Sequence, residues 1–309
     1  MILIFMLHAL WAASVTTSKM LLEFTTPMFL TGIRMAIAGV LLLYYQYFHA
    51  HENFIFKRKD FWLFVQVAFF GIFFSYSLRH WALEEVSAAK TMFLYNAAPF
   101  MSSLYSYFIF KERMSGKKWL GLLIGCIGII PILMTTSPQE ASLGEFLYIS
   151  WPELAIFISA AGHSYSWIVI RQLVRDRNYS PMMVNGVCMF SGGVLSLAGA
   201  SVFEDCMSVS RENLVYFVLL LGFVIIISNI ICHTLYAYLL RKYTATFLSF
   251  TGFMSPLIAA LYGWVLSGTV ITWHYYVSSV VMLIGLYLFY KDELQTNDDA
   301  DEGIESEVL

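Results

Sequence analysis

Residues 214–240 read LVYFVLLLGFVIIISNIICHTLYAYLL, without a single Asp, Glu, Lys or Arg. A helix crosses the hydrocarbon core of a bilayer with roughly 17–25 mainly apolar residues. This run is long enough, and its uninterrupted apolar character rules out an amphipathic surface helix. Working outward, the same test gives blocks at 2–18, 27–48, 61–83, 89–109, 117–134, 151–172, 181–203, 245–267 and 273–290. The composition agrees: the chain is 59% hydrophobic and 13% charged, with a mean hydropathy of +0.69. A soluble domain carries about 25% charged residues. The surplus apolar surface must face lipid, so the expected fold is an all-α membrane protein of ten transmembrane helices.

The extramembrane parts are short. Residues 291–309 hold Lys291 against eight Asp and Glu, and read as an acidic, solvated cytoplasmic tail. The four cysteines, Cys126, Cys188, Cys206 and Cys232, form no CxxC pair, so neither a disulfide framework nor a metal site is expected. The apolar N-terminus lacks a basic leader and reads as a first span. With that end inside, thirteen of the 18 Lys and Arg fall on the cytoplasmic side, in clusters such as Lys57-Arg58-Lys59 and Lys111 to Lys118. Such a bias puts both termini in the cytoplasm of a multi-pass inner-membrane protein.

The chain also repeats itself. Ser87-Ala88 through Gly128 parallels Thr244-Ala245 through Gly285; Pro99 falls on Pro256, Leu104 on Leu261 and Tyr105 on Tyr262, while Trp11 falls near Trp167. Each half holds five blocks, an odd number, so the second copy must enter the membrane upside down. The expected organisation is a first five-helix repeat at 1–134, a loop at 135–150, a second repeat at 151–290 and the tail. Inverted repeats characterise secondary transporters, whose substrate site lies between the halves near the bilayer midplane.

At this point the residues resemble a family. Trp81-Ala82-Leu83-Glu84-Glu85-Val86-Ser87-Ala88-Ala89, then Tyr95-Asn96-Ala97-Ala98-Pro99, Lys111-Glu112-Arg113 and Gly121-Leu122-Leu123-Ile124-Gly125 with Gly128 look like the first EamA repeat of the drug/metabolite transporter superfamily. Lys242-Tyr243-Thr244-Ala245, Pro256 and Gly285 echo it in the second half. The resemblance implies two five-helix bundles around a central cavity that move small organic molecules by alternating access. Family members often carry a Glu after the fourth helix of each repeat. Glu112 fills that place in the first half but Thr269 stands there in the second, so a symmetric gate is not implied.

Charge inside a bilayer is costly, so polar residues within the blocks are the site candidates. Arg34 can grip a carboxylate or phosphate through its planar fork, or pair structurally near the outer interface. His163, His233 and Asn229 can line a cavity or bond between helices; Asn229 and His233 share a helix face. Arg79, His80 and Lys90 read as interfacial. Trp11, Tyr76, Tyr95, Asn96, Tyr165, Trp167 and Tyr236 complete the expected cavity wall, where aromatic faces stack on a planar ring or hold a cation. Pro99 and Pro256 are candidate hinges, with Glu112 beside a gate. Gly121 and Gly125 allow close helix packing, favoured within the bundle, with a homodimer contact as the alternative.

No Asp or Glu lies in the middle of a block, which favours a facilitator or exchanger over an acid-driven pump. No cofactor, metal or nucleic acid is expected; the partners are a small metabolite and the lipid bilayer. A membrane-embedded enzyme is the competing class, but HExxH, GxSxG and P-loop motifs are absent. The resemblance implies an amino acid or its derivative as substrate. Some similar proteins of intracellular bacteria exchange S-adenosylmethionine for S-adenosylhomocysteine, and that is the sharpest expectation. Amino acid or drug export is the alternative.

Overall fold

The computed structural model describes residues 2–49, 56–111, 115–135, 145–146, 149–204, 213–243, 245–252, 254–267, 272–285 and 287–288. Glu112, Cys206, Thr269, the tail and most of the 135–150 loop lie outside them. The helices are α1 (Ile2–Leu21), α2 (Pro27–His49), α3 (Arg58–Glu85), α4 (Ala88–Tyr95), α5 (Ala98–Phe110), α6 (Gly116–Leu133), α7 (Trp151–Asp176), α8 (Pro181–Phe203), α9 (Leu214–Leu239), α10 (Ala245–Thr251), α11 (Met254–Ser267) and α12 (273–285). A two-residue pairing of β1 (Glu145–Phe146) with β2 (Ile149–Ser150) precedes α7. Six of these helices, α2, α3, α6, α7, α8 and α9, are long and apolar enough to cross a membrane. The chain is an all-α, multi-pass membrane protein.

Large apolar side chains face outward, while charged and polar ones are buried among three apolar core clusters. Phe203, Phe108, Val215 and Trp62 are 68–76% exposed, whereas Arg34, His80, Lys90, Glu153 and Asn229 are at most 2% exposed. Only a hydrocarbon solvent makes that arrangement favourable. The helix starts are fixed chemically. Ser87 and Ser115 accept from the backbone N–H groups of Lys90 and Lys118 at 3.2 Å. Ser150 and Glu153 form a reciprocal capping box ahead of α7. At α2, whose first turn begins with Pro27, the cap is remote: Glu204, just past α8, accepts from the backbone N–H of Met28 and Phe29. Outside the helices, the Tyr179 hydroxyl donates to Asp60 and accepts from the Lys57 backbone; burial pushes its pKa up.

Close crossings hold the bundle together. Along α2 and α8, a Cβ at Gly32 would meet Leu197, one at Gly39 Phe190, one at Gly193 Ala36 and one at Gly186 Leu43. Numbers rise on one helix as they fall on the other, so the two run antiparallel. Gly128 meets Met282, and Gly285 meets the backbone of Gly121 and Gly125, so α6 and α12 cross the same way. The GxxxG contact is therefore made inside the chain. Each side chain absent here removes atoms that would otherwise hold two helix backbones apart.

Two pairs of helices are broken in the middle. Asn96 and Ala97 separate α4 from α5, and the break between α10 and α11 includes Gly252. Pro99 and Pro256 each sit in the first turn after the break, where a missing N–H costs nothing. The two candidate hinge prolines thus follow breaks in the chain rather than sit inside continuous helices. Wide π-helical turns also occur at Val67–Phe74 in α3 and at Ile225–Cys232 in α9. Such turns are frequent at functional sites.

Candidate functional site

A cavity lies among α1, α2, α3, the α4/α5 break, α7, α9 and the α10/α11 break. α1 contributes one polar and aromatic face: His8, Trp11, Ser14, Val15 and Ser18 all line it, at the i, i+3, i+7 spacing of a helix stripe. His8 also braces the second break. Thr251 spends its proton on Leu248 O, so His8 Nε2 donates to Thr251 at 2.8 Å, and Nδ1 accepts from Ser255 at 3.0 Å. On α7, Ser164 makes the corresponding contact with the first break, donating to Ala98 O at 3.1 Å.

Trp11, Arg34, Tyr95, Asn96, Pro99, His163, Trp167 and Tyr236, all expected site residues, line the cavity. Trp167 packs at a tilt against Tyr236, 4.2 Å between ring centroids, and meets Trp11 edge-on at 6.3 Å. His163 donates from Nδ1 to the Gly71 carbonyl, a group in the wide turn of α3. Asn96 donates to the Met282 thioether. Tyr76, Asn229 and His233 stand immediately behind the wall: the Tyr76 hydroxyl and His233 Nε2 share a short hydrogen bond. Tyr165 is different. Its hydroxyl donates to Gln66 and its ring packs on Phe70 and Tyr105, away from the cavity. Pro256 is buried beside the second break but does not line the space. Glu112 lies outside the described residues.

Arg34 is saturated. Its Nε donates to Asn229 at 3.2 Å, Nη1 to Ser18 at 2.9 Å and to His80 at 3.3 Å, and Nη2 to Asn229 at 2.9 Å and Ser228 at 3.2 Å. A guanidinium has five N–H donors, and each has an acceptor here. The acceptors are themselves fixed. Ser18 passes its proton to Ser14 O and Thr31 to Pro27 O, so His80 donates from Nδ1 to Thr31 and accepts from Arg34 at Nε2. Arg34 ties α1, α2, α3 and α9 into one network.

Three residues depart from their expected interfacial places. Arg79 and His80 line the cavity, because the space reaches to the end of α3. Arg79 lies over the rings of Tyr76 and Tyr95, 4.1 and 5.1 Å from their centroids. Lys90 is buried and pairs with Glu153 at 2.7 Å, joining α4 to α7. The i, i+3, i+4 spacing of Tyr76, Arg79 and His80 was the available signal for the first two; nothing local announces the third. The described lining residues include no Asp or Glu, and no group of metal-binding residues occurs among the described residues.

The model of the EamA-like transporter family matches residues 1–134 and 150–291. A Chlamydia muridarum protein named S-adenosylmethionine/S-adenosylhomocysteine transporter is 31% identical over 95% of this chain and 92% of its own. A Chlamydia trachomatis protein of the same name is 32% identical over 95% and 89%. One solved structure, 18% identical, superposes with a TM-score of 0.69 over 93% of this chain and 94% of its own, which shows a shared fold.

Proposed function

The chain belongs to the EamA-like transporter family, and from that premise we propose that it exchanges S-adenosylmethionine for S-adenosylhomocysteine across the cytoplasmic membrane by alternating access. The observation that carries this reading is the cavity wall: guanidinium groups near one end, Trp11, Trp167 and Tyr236 near the other, and no carboxylate among the described lining residues. An α-carboxylate suits the first, and an adenine face and a sulfonium suit the aromatic rings. The Chlamydia relatives named for this exchange agree with it.

The ligand would sit between two inverted five-helix repeats, 1–134 and 151–290, giving ten spans when α4/α5 and α10/α11 are each counted once. Four relationships support that organisation. The corresponding helices α2 and α8 run antiparallel, as do α6 and α12. The wide turns of α3 and α9 fall at like places, and both breaks precede a proline. Both chain ends then lie in the cytoplasm, in accord with the Lys and Arg distribution.

Counterflow in proteoliposomes tests the function. Internal S-adenosylhomocysteine is expected to accelerate entry of labelled S-adenosylmethionine, while methionine or adenosine alone is not. Uptake indifferent to internal S-adenosylhomocysteine refutes exchange; acceleration by ordinary amino acids instead supports the amino acid exporter. Tags at the two ends that label from opposite faces refute the inverted arrangement.

A further inference from the structure

We infer that Arg79, with the hydroxyls of Thr91 and Tyr95, is the carboxylate-holding end of the cavity, and that Arg34 is its structural support. The inference rests on the cavity being the ligand site, as proposed above.

The two arginines differ in what their nitrogens do. All five N–H groups of Arg34 are committed to Ser18, His80, Asn229 and Ser228. Gripping a ligand would leave several of those buried acceptors unpaired, each a penalty. Arg79 lies with its flat face over the rings of Tyr76 and Tyr95, and among the described residues the side-chain partners of its N–H edge are those two tyrosine hydroxyls, so most of the edge is uncommitted. Cation–π contact stabilises a guanidinium without using its N–H edge, and that edge is the fork that matches a carboxylate. No carboxylate among the described residues pairs with Arg79, although the side chain is only half-buried and borders the cavity.

Two neighbouring hydroxyls point the same way. Thr91 and Tyr95 stand one helical turn apart on α4, and both line the cavity. Thr91 is 1% exposed, yet its Oγ1 has no hydrogen-bond partner, and the Tyr95 hydroxyl beside Arg79 forms no bond of good geometry. A buried hydroxyl left unsatisfied costs free energy, and such groups in native structures call for an explanation. A carboxylate seated on Arg79 supplies it, because its oxygens offer about four acceptor positions to a guanidinium fork and two hydroxyl donors. The aromatic end is then reached through Tyr76, His163 and Trp167, whose rings follow at 5.5 and 5.4 Å.

The test compares binding of S-adenosylhomocysteine with binding of its carboxamide, by calorimetry on protein in nanodiscs. Wild type is expected to prefer the carboxylate about ten- to hundredfold, the range for hydrogen bonds to a charged group. Arg79→Gln should erase that preference without weakening the carboxamide, and Arg79→Lys should restore part of it. Thr91→Val and Tyr95→Phe guard against a misfolded variant. Each should weaken the carboxylate a few-fold while leaving the melting temperature unchanged or higher, because each removes a buried hydroxyl that lacks a bond of good geometry. A preference that survives Arg79→Gln overturns the assignment. If wild type binds neither nucleoside, the exchange reading fails, and amino acids with their amides decide Arg79 in the same variants. A panel in which no carboxylate outcompetes its amide overturns the assignment as well.

Discussion

Tyr76 and His233 stand 157 residues apart, the spacing of Pro99 from Pro256, and share a hydrogen bond between phenol oxygen and ring nitrogen. One follows the wide turn of α3 and the other the wide turn of α9. Both are buried, so each is the other's means of avoiding an unsatisfied polar atom. The pair, with the Trp11–Trp167 contact, marks where corresponding parts of the two halves touch.

The bond makes a measurable prediction. A double-mutant cycle of Tyr76→Phe and His233→Phe, read by unfolding in mixed micelles, is expected to return a coupling of about 1 kcal/mol, within the range for hydrogen bonds between membrane helices. Strictly additive effects would mean the contact contributes nothing.

The crossing of α2 and α8 should be intolerant of added atoms. A Cβ at Gly193 would lie 2.5 Å from the Ala36 backbone nitrogen, and one at Gly39 would collide with the Phe190 backbone. Gly193→Ala and Gly39→Ala are each expected to cost about 1–3 kcal/mol. Gly222 has nothing within 4 Å of its virtual Cβ, so Gly222→Ala should change stability by less than about 1 kcal/mol. Equal yields of monodisperse protein for all three would contradict the packing.

Lys90 and Glu153 meet at 2.7 Å with side chains 3% and 0% exposed. Lys90→Met strands a buried carboxylate and is expected to cost about 3–5 kcal/mol, whereas adding Glu153→Gln should recover most of it, since Gln preserves the capping box of α7. Thermal melts of the single and double variants check this; a double variant no better than Lys90→Met would refute it.

Trp167 and Tyr165 should separate cleanly in transport. Trp167 faces the cavity and Tyr165 faces Gln66. Trp167→Leu is expected to weaken an adenine-bearing ligand about tenfold, from stacking energies of about 1–3 kcal/mol per base. Tyr165→Phe should leave uptake kinetics unchanged. Competition assays with adenosine read both.

Those last two residues explain what sequence alone could and could not deliver. Block boundaries were legible because lipid demands long apolar runs: 27–48 became Pro27–His49, and 181–203 became Pro181–Phe203. The wall residues of α1 and α7 were legible as polar or aromatic groups in apolar surroundings. Tyr165 and Trp167, however, lie two positions apart, and a helix turns such a pair to different faces. Composition could not say which one pointed inward. That Arg79 borders the cavity is not legible in sequence, because distance from a block's end does not reveal how far a cavity extends. Lys90 was misjudged because its partner is contributed by a helix 63 residues further on. The saturation of Arg34 needed four other helix positions to be known at once.

The want of any Asp or Glu on the described cavity wall has an electrical consequence. With no carboxylate there, and provided the wall histidines His8, His80 and His163 keep one protonation state through the cycle, the charge that moves in the proposed exchange is the ligand's own. S-adenosylmethionine carries one net positive charge through its sulfonium, and S-adenosylhomocysteine is a neutral zwitterion. Swapping one for the other therefore carries current, and a potential of 100 mV, negative inside, adds about 2.3 kcal/mol to inward movement. A potassium diffusion potential should speed the heteroexchange and leave exchange of S-adenosylhomocysteine for itself untouched; voltage would then draw the methyl donor in with no pH gradient at all.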